Sequence, residues 1–331
     1  MEKPIVILGI DVSKKTLDVC ELIGQEHHYA KWQNDYHQVK KHLKKFDPSN
    51  TIIAMEHTGA YNNALFDVLS EINFRVYVFN PYHLKHSLGM MRRKNDKIDA
   101  FRIASYTQRN EDLLTPWQPP RPVVRALKGL LSERQGLIRA RRRVKAAIQE
   151  NTSKFGATQA KRTKRRRQRQ IKDYNQYIAE IEKDIREVIR SDKELKRVFK
   201  LANSVPGIGE VTAWSLIAKT NGFKTITDPR KLACYAGVAP FEHQSGTSIN
   251  KPPKVSHMAD KKLKTVLHMA AMRVTRLDGE LREYYIRKVA EGKHKMAVLN
   301  AIRNKLIHRV LAVVKRGEPY QIIPPKTLSV S

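Results

Sequence analysis

The chain has 331 residues, 41% of them hydrophobic, enough for roughly two or three cored domains and too many for wholesale disorder. Lys and Arg number 63 against 32 Asp and Glu, a formal charge of +31; such a surplus repels itself and points to a polyanionic partner, nucleic acid before membrane. No apolar run reaches the roughly 18 residues of a spanning helix and no signal or lipidation pattern is present, so no membrane association is expected. Only Cys20 and Cys234 are available, which excludes a disulfide framework and fits a reducing cytosol. His37 and His42 have a finger-like spacing, but no Cys pair accompanies them.

"PIVILGI", residues 4–10, is a continuous apolar run, as a strand buried on both faces requires. "TLDVCELIG" and "HHYAKWQ" follow at hairpin-like spacing, and then "DYHQVKKHLKKF" reads as a short basic helix. "TIIAME", "GAYNNALFDVLSEIN" and "RVYVFN" read as strand, helix and strand. The order predicts a mixed α/β sheet over roughly the first 110 residues, closed by the prolines of "WQPPRP". From 123 to about 200 no strand is expected. Ile171, Tyr174, Ile178, Ile181, Ile185 and Val188 form a heptad seam, matched by Leu127, Leu130, Leu137, Val144 and Ile148, with Arg134 and Arg141 interrupting. These coiled-coil helices pair within one chain or between protomers; spacing alone leaves both open. The region after 201 reads as all-α, with "SVPGIGEVTA" as the turn of a helix–hairpin–helix. The predicted divisions are 1–118, 119–200, 201–318 and a tail, 319–331.

In so basic a chain the placement of acids is informative. Asp11 directly follows a buried strand, Glu56 ends a second, and Asp96 and Asp99 share one face at the start of a helix. Each has an ordinary alternative as a turn, cap or dipole partner. Together they can converge on a point where bare carboxylates repel but a hard cation such as Mg²⁺ is favoured, and two such ions can clamp a phosphodiester. Asp18, within the second strand, is expected at the surface. Two features address phosphates. Gly207 and Gly209 can let backbone N–H groups approach one closely. Lys161, Arg162, Lys164, Arg165, Arg166, Arg167 and Arg169 form a basic linker that is either solvated or tracks a nucleic-acid backbone.

"GIDVSKKTLD", "EHTGAY" and "RRKNDKIDA", with "SVPGIGEVTA" and "YAGVAPFEHQSG", resemble the DEDD transposases of bacterial insertion sequences along nearly the whole chain. The resemblance implies an RNase H-like (RuvC-like) N-terminal domain whose metal-binding acids are Asp11, Glu56, Asp96 and Asp99. It implies Mg²⁺, as two ions that Mn²⁺ can replace, and Ser245 as the nucleophile. Without it, "HQSGTS" is a polar turn, and Ser248 and Ser256 are rivals in the same stretch. The chain departs from the family pattern just downstream, at "VSHMADKKL". The implied partners are target and donor DNA, a structured guide RNA and further copies of the chain in a dimer or tetramer, and the implied location is the bacterial cytoplasm at the nucleoid. The expected function is therefore a recombinase that cuts and rejoins DNA through a phosphoserine link. The alternatives are a resolvase-like nuclease in which water attacks and a non-catalytic nucleic-acid-binding protein.

Overall fold

The computed structural model describes residues 5–87, 95–150, 157–245, 249–255 and 258–321. The chain divides into two compact units, 1–119 and 120–331, with the change inside the proline-rich stretch.

The first unit is a mixed α/β sheet. Strands β1 (Val6–Val12), β2 (Thr16–Ile23) and β3 (Glu26–Gln33) form an antiparallel meander, and β4 (Thr51–Glu56) and β5 (Arg75–Phe79) add in parallel, giving the order β3-β2-β1-β4-β5. Helix α1 (Tyr36–Leu43) separates β3 from β4, and α2 (Asn63–Leu69) separates β4 from β5. Helices α3 (Pro81–Ser87) and α4 (Asp96–Asn110) follow β5. Period-two alternation divides the sheet between two cores. Leu8, Ile10 and Val12 pack with Val39, Leu43 and Leu65, while Ile7, Cys20 and Ala54 pack with Ala100, Ile103 and Ala104 of α4.

Gly9 sets how closely α4 can lie on the sheet. A Cβ there would fall 2.8 Å from Ala104 Cβ and overlap the Ala100 carbonyl oxygen, so the helix backbone rests directly on the strand. Any side chain would lift α4 away.

The second unit is mostly helical, and helix α5 (Pro122–Glu150) runs antiparallel to α6 (Ala157–Ser191) within the chain. Arg134 pairs with Glu182 at 2.6 Å, Arg141 donates to Asn175 at 2.6 Å, and Arg167 donates to the Ala147 carbonyl. Position rises along one helix as it falls along the other. The arginines that interrupt the α5 seam are thus satisfied by polar residues of α6. Val124, Leu127, Ile181, Ile185 and Ile189 join the core formed by α7 (Lys193–Asn203), α8 (Glu210–Lys219), α9 (Pro229–Tyr235), α10 (Lys261–Val274), α11 (Glu280–Ala290) and α12 (Lys295–Arg316).

Two expectations change. The basic stretch 161–169 is helical, inside α6, because Lys, Arg, Gln and Ala are strong helix formers. The region after 201 is not purely helical: β6 (Pro240–Ser245) and β7 (Ile249–Val255) form an antiparallel hairpin with an irregular register between Phe241 and His243. Pro252 and Pro253 disguise β7 in the sequence, yet a two-stranded ribbon has an open edge that tolerates a missing N–H. Among the described residues, no helix is long and apolar enough to cross a membrane.

Gly9→Ala is expected to destabilise the protein by about 1–3 kcal/mol through overpacking against α4. Urea unfolding checks this; an unchanged midpoint would mean that α4 does not depend on the missing side chain.

Candidate active site

The β1 and β4 strands run parallel and end at the same edge, which places Asp11 and Glu56 side by side: Ile10 partners Met55, and Glu56 follows. Asp11 lies on the face that α4 covers, two residues beyond Gly9. The first turn of α4 brings Asp96 and Asp99 to that face. The helix cap is Asn95, whose side chain accepts from the Lys97 N–H at 3.1 Å, so Asp96 is not needed as the cap. Asp99 meets Arg102 at 3.4 Å, one turn along the same helix.

The electrostatics join these residues. Burial, then Asp99, Asp96, Glu56 and Asp18 in that order, lift the Asp11 carboxyl from 3.8 to about 6. All three acids predicted to share the site with Asp11 therefore act on it. Among the described residues, no three His, Cys, Asp or Glu side chains already stand as a metal cage. Bare carboxylates at one edge repel one another, and a cation would offset that repulsion. The donor set is all-oxygen and anionic, which fits a hard divalent cation.

Asparagines brace the loops that carry the acids. Fully buried Asn62 accepts from the Thr58 N–H at 2.6 Å and the Thr58 hydroxyl at 2.9 Å, and donates to the Glu56 carbonyl at 3.0 Å. Asn34 donates to the Ser13 carbonyl at 2.8 Å and the Tyr61 carbonyl at 2.9 Å, tying the turn after β1 to the loop after β4. Neither was singled out from the sequence, where "GAYNNALFDVLSEIN" reads as a helix throughout. Asp18 is a correction: it is 1% exposed, not a surface residue, because it partners Asp11 across β1 and β2 and shares its face.

In the second unit, Ser245 ends β6 and its backbone partners Ile249 at the hairpin tip. Ser248 and Ser256 lie outside the described residues. The hairpin's two roots are fastened together. The Asp260 N–H donates to the Tyr235 carbonyl at 2.8 Å, the Tyr235 hydroxyl donates to the Asp260 carboxylate at 3.3 Å, and Lys219 Nζ pairs with that carboxylate at 2.6 Å. Burial opposes charge in both ionic partners, but their pairing outweighs it, holding Lys219 above and Asp260 below their ordinary ranges. Asn300 Nδ2 adds a bond to the Val238 carbonyl at 2.7 Å.

Gly207 is buried with φ +91°, and a Cβ there would lie 2.9 Å from Val274 Cβ, so its freedom serves packing against α10. Gly209 caps α8 and is half-buried beside the Arg273 guanidinium. Glu210, in the first turn of α8, is held by Arg186 at 2.7 Å. In the basic stretch Lys161, Arg162, Lys164, Arg165, Arg166 and Arg169 are exposed, whereas Arg167 turns toward α5.

The family model for DEDD transposases of the IS110 type matches residues 8–153, and that for transposases of the IS116/IS110/IS902 family matches 200–286. The first span holds Asp11, Glu56, Asp96 and Asp99, and the second holds the Ser245 hairpin. The pilin gene-inverting protein of Moraxella bovis is 27% identical, over 95% of this chain and 97% of its own length. The transposase for insertion sequence element IS1111A of Coxiella burnetii is 22% identical, over 96% of this chain and 92% of its own. The chain belongs to the DEDD transposases of insertion sequences. Its enzyme class is accordingly DNA transposase/recombinase, and the family implies dependence on a divalent metal.

The raised Asp11 carboxyl sets a pH dependence. Between about 4 and 6 the folded state retains a proton that the unfolded chain has released, so metal-free stability falls as pH rises through this window. Asp11→Asn is expected to be more stable than wild type at pH 8 in chelator, with the advantage shrinking to nothing below about pH 4. Urea unfolding across pH 4–8 checks this; a difference independent of pH would contradict it.

Proposed function

We propose that the chain cuts and rejoins DNA through a phosphoserine intermediate on Ser245, using Mg²⁺ held by Asp11, Glu56, Asp96 and Asp99. The observation that carries this reading is the placement of the four acids at one sheet edge: Asp11 near the end of central strand β1 on the face α4 covers, Glu56 at the end of the parallel β4, and Asp96 and Asp99 in the first turn of α4. The strand order, an antiparallel meander joined to parallel strands, supports an RNase H-like first unit. Mg²⁺, as two ions, would supply charge neutralisation at the phosphodiester. The Ser245 oxygen would form a bond to phosphorus as a DNA oxygen leaves, and a second DNA hydroxyl would later displace the serine, so that bond energy is kept. The serine and the acids must then meet on one phosphate, in a dimer or tetramer of the chain.

The relatives' names describe DNA rearrangement, gene inversion in one case and transposition in the other, and support a recombinase over a simple nuclease. A structured guide RNA would supply target choice. The exposed lysines and arginines of α6 present a positive helix surface to a nucleic-acid backbone, and Gly209 with Arg273 offers a smaller phosphate contact on the helix–hairpin–helix reading. The long α5–α6 pair, with its heptad seam, is read as a coiled coil that supports this surface.

Ser245→Ala is expected to bind DNA as wild type does and to form no covalent adduct or recombinant product. Mass spectrometry of the trapped wild-type adduct should locate the phosphoryl group on Ser245. An adduct on Ser248, Ser256 or a tyrosine would overturn the assignment, and free-ended cutting by the variant would favour attack by water.

Replacing Lys164, Arg165 and Arg166 together with Ala should leave α6 helical and flatten the salt dependence of binding. Each lost phosphate contact lowers the log–log slope by roughly 0.7–0.9. An unchanged slope would make this surface merely solvated.

A further inference from the structure

Asp18 is a buried carboxylate of which only one oxygen is used to join β2 to β3. Its Oδ1 accepts from the Tyr29 hydroxyl of β3 and lies 3.4 Å from Lys31 Nζ, while the lysine side chain is 52% exposed. Its Oδ2 is buried and has no hydrogen-bond partner. The residue stands directly opposite Asp11, on the same sheet face and at the edge where Asp11 and Glu56 end their strands. Placing a second carboxylate there adds repulsion, and leaving one of its oxygens buried without a donor adds a desolvation cost. If the role were only to hold β2 against β3, a neutral amide would accept from Tyr29 at lower cost. A cation at the acidic edge removes both penalties at once.

We infer that Asp18 is a fifth carboxylate of the divalent-cation site, contributing through Oδ2 while Tyr29 fixes its orientation through Oδ1. The inference rests on the reading of Asp11, Glu56, Asp96 and Asp99 as metal-binding acids and adds a member to that set. Tyr29 is itself well placed for a supporting role. Its ring is covered by Lys97 Nζ at 4.4 Å from the centroid, and Lys97 lies in the first turn of α4 between Asp96 and Asp99. The hydroxyl and ring of one tyrosine thus connect Asp18 with the helix that carries the other acids. As a positioning residue, Tyr29 acts through Asp18 and needs no contact with the cation.

Free Mn²⁺, followed by its electron paramagnetic resonance signal, is titrated against the full-length protein without DNA. Wild type, Asp18→Asn, Tyr29→Phe and Asp11→Asn are compared. Asp18→Asn is expected to weaken Mn²⁺ affinity by about 10–100-fold, the range for losing a supporting group at a metal site, and Tyr29→Phe by a smaller factor. Wild-type affinity in Asp18→Asn, together with lost binding in Asp11→Asn, would overturn the inference and leave the four-acid reading standing. Wild-type affinity in both would overturn the metal reading itself. Thermal melting in chelator separates a merely structural role, which would lower the melting temperature of Asp18→Asn and leave Mn²⁺ affinity unchanged. Should Asp18→Asn fail to fold, Tyr29→Phe decides: it retains the carboxylate and frees its orientation, and undiminished Mn²⁺ affinity there would also overturn the inference.

Discussion

The close approach of α4 to β1 at Gly9 is the constraint on which the acidic site depends. A helix normally stands off a sheet by the depth of two layers of side chains, but here the Ala100 and Ala104 backbone comes down onto a strand residue with no Cβ. Asp99 directly precedes Ala100 and Asp96 lies about one turn before it, and two residues beyond Gly9 along the strand lies Asp11. The same contact that closes the hydrophobic core therefore sets the spacing of the carboxylates. Packing and chemistry are coupled through one missing side chain.

That coupling has an electrostatic cost. Like charges gathered at one edge lift the Asp11 carboxyl to about 6, so in the metal-free protein the site works against folding at neutral pH. The first unit tolerates this because strands β1, β2 and β4 are largely buried on both faces and its acid-bearing loops are tied by Asn34 and Asn62. A site poised in this way gains more from a cation than a relaxed one would, because the cation relieves repulsion as well as forming bonds.

Much of the first unit was legible in the sequence because buried strands are continuous apolar runs and the acids stood at their ends. What was not legible depended on registry. Asp18 lies seven residues from Asp11, an odd separation that would put the two on opposite faces of one continuous strand. The turn at 13–15 reverses the chain and places them face to face. In the second unit, Arg134 and Arg141 read as breaks in a seam, and only pairing with Glu182 and Asn175 explains them. The basic stretch read as a linker because charge without apolar residues carries no period. Its helicity comes from intrinsic propensity and from the inward turn of Arg167, which continues the α6 stripe.

The hairpin bearing Ser245 poses a different physical problem. A two-stranded ribbon is marginally stable alone, so a residue at its tip is placed only as well as its base is held. Here the base is held by groups that the flanking helices provide anyway. Tyr235 ends α9, Asp260 caps α10, and Lys219 ends α8; their bonds close the loop from 236 to 259 at its root. Asn300, on α12, fixes Val238 on the way in. The fixed root and the open ribbon have separate roles: the helical core sets the direction in which the hairpin leaves, and the irregular register between Phe241 and His243 sets its twist. Under the proposed phosphoserine chemistry, this root would fix where strand β6 delivers the Ser245 backbone, because it ties the helices on both sides of the hairpin together.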